Sequence, residues 1–173
     1  FKALNMAENA THNLHNLLPF RGAEARDPKA WSQYLGEALE TFGGDAEVLL
    51  AQHHWPTFGN GRLRDFLARQ RDLYKYLHDQ TLRLMNRGYG PREIAEQVKL
   101  PAALASQLGA RGYYGDARHN VKAIYQFYLG FYDGNPANLN PLPPQESSRR
   151  WLELVGGPDK AVAAAQAAYD KGD

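Results

Sequence analysis

Two short stretches of the sequence combine carboxylate and imidazole side chains, at residues 5–13 and 51–56. Carboxylate oxygens and imidazole nitrogens bind zinc in proteins and also transfer protons in enzymes. A catalytic zinc ion takes about three protein ligands and keeps one position open for water. The candidate groups in this part of the chain are Glu8, His12, His15, His53 and His54.

The spacing of these residues leaves their individual roles open. A single Glu or His in a sequence is more often a surface group or a hydrogen-bonded core group than a ligand. Adjacent residues that leave a strand point to opposite sides, so only one of His53 and His54 can face a shared metal. His12 and His15 suit a supporting position beside the site, a packing role or the surface equally well.

Composition excludes several other kinds of site. The chain has 173 residues and no cysteine, which removes disulfides, thiolate zinc sites and cysteine nucleophiles. Lys and Arg total 20 against 19 Asp and Glu, and this balance creates no strong field for nucleic acid or anionic lipid. No apolar run approaches the roughly 20 residues that a membrane-spanning helix needs.

The elements that would position the candidates are a helix and a strand in the first third of the chain. Asp27 as N-cap, Pro28 at the first helical position and Gly43 as the stop predict a helix over Pro28–Phe42. The apolar run Glu47–Ala51 predicts a buried strand. His53 then lies just beyond a strand end, where α/β proteins often place chemical groups.

From Arg62 onward, apolar residues recur with helical spacing. The sequence therefore predicts a mainly α protein, in which a partial α/β segment precedes an all-helical region. The predicted helices are Arg62–Arg87, a helix through Val121 and Tyr132 that contains Gly130, and the pair Gln145–Val155 and Asp159–Lys171.

Longer motifs around the candidate residues resemble one enzyme family. The stretch from Asn5 to Leu14, with its Met-Ala-Glu-Asn sequence, and the later His-His-Trp-Pro sequence are similar to zinc-dependent alkylsulfatases. These are type III sulfatases with a metallo-β-lactamase fold, and they hydrolyse alkyl sulfates such as dodecyl sulfate. The resemblance continues through residues 70–81, 111–115, 119–123 and 133–139, and it covers nearly the whole chain.

The resemblance implies a role for particular residues. The family has two zinc ions, and its bridging glutamate corresponds to Glu8 while one of its histidine ligands corresponds to His53. Arginine suits a sulfate pocket because its planar fork of donors binds two oxygens at once. The implied sulfate-binding residues are Asn16, Leu17, Leu18, Arg21 and Arg26.

Other parts of the family pattern have no counterpart in this sequence. The His-x-His-x-Asp-His zinc motif, a further glutamate ligand and a sterol-carrier-like domain are absent. Together with a first residue that is not Met, this predicts a piece of a longer protein, with the remaining zinc ligands in a missing amino-terminal segment. The resemblance implies the end of a catalytic domain at residues 1–60 and a helical dimerisation domain at residues 61–173, in a periplasmic or secreted homodimer.

Two alternatives compete with the hydrolase. Residues 91–101 and Ala102–Leu108 resemble a helix-turn-helix, but the second helix offers Gln107 as its one polar group for reading bases, so we expect no nucleic-acid partner. The other alternative is a helical interaction module that dimerises without catalysis when the chain is isolated.

Overall fold

The computed structural model describes residues 1–173, which form seven α-helices and three short β-strands. The protein is mainly α, as the sequence predicts. The strands are β1 (Ala3–Asn5), β2 (Val48–Leu50) and β3 (Thr57–Phe58), and the helices are α1 (Pro28–Phe42), α2 (Asn60–Met85), α3 (Pro91–Gln97), α4 (Ala102–Ala105), α5 (Ala117–Leu129), α6 (Pro144–Leu154) and α7 (Pro158–Tyr169). None of the helices is long and apolar enough to cross a membrane.

The three strands form one small sheet in the order β1, β2, β3. β1 and β2 are parallel, with Leu4 opposite Leu49, and β3 returns antiparallel to β2 with Thr57 opposite Leu49. The strand predicted at residues 47–51 forms as β2, but the prediction that it is buried holds only for Leu49, since Val48 is half-buried and Leu50 is exposed. The sequence analysis missed β1, because three residues are too few to establish an alternating pattern.

Helix α1 begins and ends as its sequence predicts. Asp27 is the N-cap, and its Oδ1 accepts hydrogen bonds from the backbone N–H groups of Lys29 at 2.8 Å and Ala30 at 3.0 Å. These bonds satisfy two of the four donors that a helix start leaves free. The helix ends at Phe42, with Gly43 as its C-cap.

A core of leucine side chains joins α1, α2 and the sheet. Leu35, Leu49, Leu63 and Leu67 are all fully buried, and they face one another across these elements. Burying one such side chain contributes about 1.5–3 kcal/mol. The core therefore holds the sheet rigidly against α2, and the loops that leave the strands start from fixed positions.

Two predicted helices are shorter than expected. Helix α5 ends at Leu129, not after Tyr132, because Gly130 adopts a φ of +77° that a helix cannot contain. The predicted second helix of a helix-turn-helix, over residues 102–108, ends at Ala105 as α4. A single turn of helix is too short to lie along a DNA groove in the way a reading helix does.

The chain divides into two compact units, Phe1–Asp133 and Gly134–Asp173. The first unit contains the sheet and helices α1 to α5, and the second contains α6 and α7. The predicted boundary between residues 60 and 61 coincides with the start of α2, inside the first compact unit. As a boundary between the catalytic and dimerisation parts of a longer protein, it stays a prediction.

Candidate functional site

Glu8 and His53 lie at the same edge of the sheet. Each follows the end of a parallel strand by three residues, Glu8 after β1 and His53 after β2. The two departing segments stay paired, because Met6 N donates to Leu50 O at 2.8 Å and Gln52 N donates to Ala7 O at 3.0 Å. Parallel strands present their carboxyl ends together, and this brings two residues 45 positions apart to one place.

The side chains of Glu8 and His53 face each other. His53 Nε2 is 3.6 Å from Glu8 Oε1, and the two side chains are 53% and 43% exposed. The Gln52 amide also adjoins the carboxylate. With its nitrogen turned toward Glu8, it donates to Oε1 at 2.5 Å and to Oε2 at 3.2 Å. The carboxylate therefore lies between the Gln52 amide and the His53 imidazole.

Backbone strain is concentrated in these two loops. Ala7, at φ +46°, and His53, at φ +70°, are the only residues other than glycine with a positive φ. Such conformations cost of order 1–3 kcal/mol each, and they persist where surrounding contacts enforce them. Because strained residues of this kind cluster at functional sites, their position beside Glu8 and at His53 supports a chemical role for this edge.

The neighbouring His54 faces different residues. Its ring centroid is 5.3 Å from that of His12 and 5.3 Å from that of Trp55. Burial, followed by the charge of His53, lowers the pKa of His54, and its Nδ1 is buried without a hydrogen-bond partner. Of the two adjacent histidines, only His53 lies within ion-pair distance of Glu8.

His12 links the first loop to β3. Its Nε2 is 2.8 Å from Thr57 Oγ1, and its ring packs edge-on against Phe66 at 4.8 Å. Burial and then the charge of His54 lower the pKa of His12. These contacts give His12 a packing role on the side of the loop that faces α2.

His15 is buried close to the Glu8 and His53 pair. Its Nδ1 donates to Asn16 O at 2.9 Å, which leaves Nε2 as the nitrogen with a lone pair. Burial is the main cause of its lowered pKa, with further contributions from Arg26 and His53, while the Asn16 bond and Glu8 act in the opposite direction. The neutral imidazole is therefore favoured at this position.

Tyr114 joins the two histidines, and the sequence analysis missed it. Its ring centroid lies 4.7 Å from that of His15 and 5.8 Å from that of His53. The residue was noted only within the motif at residues 111–115, in a turn-rich segment distant in sequence from both histidines. The available signal for a functional role was the pair Tyr113 and Tyr114 between two glycines, because aromatic residues in turns are seldom part of a core.

Among the predicted sulfate-binding residues, the structure pairs Asn16 with Arg26. Arg26 Nη1 donates to Asn16 O at 2.7 Å and to Asn16 Oδ1 at 3.0 Å, and its guanidinium carbon lies 5.9 Å from the Trp31 ring centroid. Arginine has five N–H donors, so three remain after these bonds. Arg21 is exposed and forms no hydrogen bond or ion pair within the chain.

Leu17 and Leu18 belong to the same loop but contribute differently. The Leu17 side chain is fully buried in the core, its N–H donates to Asn120 Oδ1 at 2.9 Å, and its carbonyl accepts from Arg26 N at 2.8 Å. Leu18 is half-buried, and its carbonyl lies 2.8 Å from His119 Nε2. A sulfate-binding role for these two residues stays a prediction, and for Leu17 both backbone groups are already occupied.

The donor set fits part of a zinc site. Glu8 supplies carboxylate oxygens and His53 supplies an imidazole nitrogen, which are ligand types that zinc accepts. No group of three or more His, Cys, Asp or Glu residues in the chain is arranged to hold a metal ion. Glu8 and His53 are fewer than the three or four protein ligands that a zinc site takes.

Comparison with known proteins gives one consistent family. Residues 90–173 match the family described as alkyl sulfatase dimerisation. The chain is 54% identical over 172 residues to a linear primary-alkylsulfatase from a Pseudomonas species, and 51% identical over 172 residues to an alkyl/aryl-sulfatase from Saccharomyces cerevisiae. Among solved structures, it is similar to the stereoselective inverting sec-alkylsulfatase Pisa1 from a Pseudomonas species, with a TM-score of 0.97 and 50% identity.

The similarity covers almost all of this chain but a small part of each relative. The match includes 99% of the chain and 26% of the Pseudomonas primary-alkylsulfatase, and 99% of the chain and 27% of the yeast protein. For the solved structure the shares are 100% and 27%. The chain thus spans about a quarter of the length of the relatives that it matches.

Proposed function

From the match of residues 90–173 to the alkyl sulfatase dimerisation family, we propose that the chain is part of a zinc-dependent hydrolase of alkyl sulfate esters. The observation that supports the proposal most is the pairing of Glu8 with His53 at the carboxyl ends of two parallel strands. Relatives at 54% and 51% identity are named as sulfatases, which also supports the proposal. The assignment of Glu8 and His53 as metal ligands is part of the proposal and follows the motif resemblance of the two loops.

In this proposal Glu8 and His53 are two of the ligands of a two-zinc site. Bound zinc lowers the pKa of water to about 7, which supplies hydroxide near neutral pH. The residues of this chain hold and orient the ligands. Gln52 fixes the Glu8 carboxylate by hydrogen bonds, and the strained backbone at His53 directs its imidazole toward Glu8.

The sulfate group of the substrate would bind at the loop that follows. Arg26 is already oriented by Asn16 and has three N–H donors left for sulfate oxygens. Exposed Arg21 supplies a second cation without an internal partner. Two guanidinium groups with free donors suit an ester that carries one negative charge and three exposed oxygens.

The second compact unit supports association of two copies. Its helices α6 and α7 contain no buried residue, and Trp151, Leu154, Val162 and Tyr169 are all exposed. Apolar patches of this kind commonly mark protein interfaces. The proposed assembly is a homodimer, and we propose a periplasmic or secreted location on the motif resemblance alone.

A non-catalytic association module is the second candidate for the isolated chain. It is favoured by one observation, namely that no group of three metal-ligating side chains exists within residues 1–173. Under this alternative, these residues would dimerise and would support a catalytic centre that other parts of the protein complete.

The experiment is hydrolysis of dodecyl sulfate by the complete protein with Glu8→Gln. The amide keeps the shape of the side chain but removes the negative charge that a carboxylate ligand would supply, so we expect activity and bound zinc to fall together. Glu47→Gln is the matched control, since Glu47 pairs with Lys2 at 3.8 Å on the same sheet, away from His53. Full zinc content and full turnover in Glu8→Gln would contradict the proposal.

A further inference from the structure

Residues 14–18, which we call the binding loop, have seven of their ten backbone polar groups in hydrogen bonds to other parts of the chain. Leu14 N donates to Arg111 O at 3.2 Å, and His15 N donates to Tyr74 Oη at 3.1 Å. A loop held in this way keeps one conformation, and the groups that it presents keep fixed positions.

Asn120 makes two of these bonds on either side of Asn16. Its Oδ1 accepts from Leu17 N at 2.9 Å, and its Nδ2 donates to His15 O at 2.9 Å. The side chain thus spans the two peptide groups that flank Asn16, in the manner of a clamp. Asn120 itself is fully buried on α5, within the region that matches the dimerisation family.

The clamp acts on the pair that faces the substrate in the proposed function. Asn16 O and Oδ1 both accept from Arg26 Nη1, so the position of the Asn16 backbone sets the orientation of the Arg26 guanidinium. A shift of about 1 Å in such a group is enough to weaken catalysis considerably.

A second contact presses on the same loop from the segment before α5. A Cβ atom at Gly115 would lie 2.6 Å from Leu14 O and 2.7 Å from Asn16 N. Only a residue without a side chain permits this approach, because real Cβ atoms do not come so close to backbone atoms. Residues 115 and 120 therefore enclose the binding loop between a backbone contact and a pair of hydrogen bonds.

We infer that Asn120 is a positioning residue for sulfate-ester binding, which acts by clamping the backbone around Asn16 and thereby aiming Arg26. The inference rests on the proposed function, because it assigns to Arg26 the task of binding the sulfate group. It also gives the α5 helix a direct influence on substrate affinity. Asn120 touches neither substrate nor metal in this account.

The test uses Asn120→Leu in the complete protein, since leucine has a similar shape and forms neither hydrogen bond. We expect KM for dodecyl sulfate and the inhibition constant of inorganic sulfate each to rise by about 10- to 100-fold, with unchanged zinc content. Hydrogen exchange at the Leu17 amide should become faster, while exchange at Leu14, which bonds to Arg111, should stay slow.

Thr81→Val is the matched control for lost stability. Thr81 is also fully buried, and its Oγ1 donates to Leu77 O at 2.6 Å, so the variant removes one buried hydrogen bond away from the binding loop. We expect a lower Tm in this variant with wild-type KM and wild-type sulfate inhibition. A parallel rise in KM in Thr81→Val would show that general destabilisation, and not the clamp, explains the effect.

Gly115→Ala gives a second route if Asn120→Leu does not fold. Its Cβ should displace the binding loop and weaken sulfate inhibition in the same direction, whereas Gly44→Ala, where a Cβ meets nothing within 4 Å, should not. Wild-type sulfate inhibition in folded Asn120→Leu or in Gly115→Ala would overturn the inference and leave the proposed function intact. A wild-type protein that neither hydrolyses the ester nor responds to sulfate would overturn the proposed function, and the inference with it.

Discussion

The two compact units of this chain obtain their structure in different ways. Residues 1–133 enclose a core in which leucines of α1, α2 and β2 are fully buried. Residues 134–173 form two helices without a single buried residue. The first unit has a buried core of its own, whereas the second exposes apolar side chains that another surface would have to cover.

A side-chain hydrogen bond from the N-cap residue is present at two of the five helices of the first unit and at neither helix of the second. Asp27 and Asp116 cap α1 and α5 with side-chain hydrogen bonds, but α6 and α7 begin after Pro143 and Gly157 without such a bond. Exposed ion pairs are the main polar contacts of α6, between Arg149 or Arg150 and Glu146, and such pairs contribute about 0–1 kcal/mol each. These polar contacts of α6 therefore add little to the stability of the second unit.

The largest expected effect is the difference in stability between two variants, each of which shortens one leucine side chain in one of the units. Leu67→Ala removes a fully buried group and should lower the free energy of unfolding by about 2–5 kcal/mol. Leu154→Ala removes a side chain that is 74% exposed and should change the unfolding of the first unit by no more than about 0.5 kcal/mol.

Denaturant unfolding measures the stability of the two leucine variants, and analytical ultracentrifugation measures their association. We expect Leu154→Ala to weaken the dimer. Leu67→Ala should leave association unchanged at temperatures where the Leu67→Ala protein stays folded. Equal destabilisation by both variants, with no change in association, would remove the distinction between the units.

A smaller effect is expected at the start of α1. Asp27→Ala removes the acceptor for Lys29 N and Ala30 N and should cost about 0.5–2 kcal/mol. Asp45→Ala, at an exposed carboxylate without a capping role, is the control. Thermal unfolding followed by circular dichroism compares the two variants, and an unchanged Tm in Asp27→Ala would mean that α1 does not depend on its cap.

The smallest effect is a pH dependence from His15. Burial lowers the pKa of His15 below its usual value of 6.5, so the unfolded chain binds more protons than the folded chain just below that pH. The stabilising effect of the neutral ring is therefore present above pH 6.5 and is lost as pH falls through the lowered pKa. His15→Gln should flatten the fall of Tm between about pH 7 and pH 5, and an identical fall in both proteins would contradict this assignment.

Much of the fold could be predicted from sequence because capping and periodicity are local signals. Asp27, Pro28 and Gly43 define α1 within one residue, and the apolar run before His53 predicts β2. The predicted end of α5 was wrong. The apolar spacing continues through Tyr132, but the backbone leaves helical geometry at Gly130. Local composition does not show whether a glycine inside a periodic pattern stays helical.

The candidate site was only partly predictable, since its geometry depends on contacts between distant residues. The sequence singled out Glu8 and His53, but the parallel pairing that brings them together involves β1, which is too short to recognise. Tyr114 and Asn120 reach the site from more than a hundred residues beyond Glu8. Their side chains carry no local pattern that would associate them with a metal or a sulfate group.

The most direct test of the central claim is the zinc content of the complete protein after His53→Ala and, separately, after His54→Ala. The two histidines are adjacent but have different surroundings, because His53 faces Glu8 at 3.6 Å while His54 packs against His12 and Trp55. We expect His53→Ala to lose zinc and His54→Ala to retain it. Full zinc in His53→Ala, or an equal loss in both variants, would contradict the assignment of this edge of the sheet as part of the metal site.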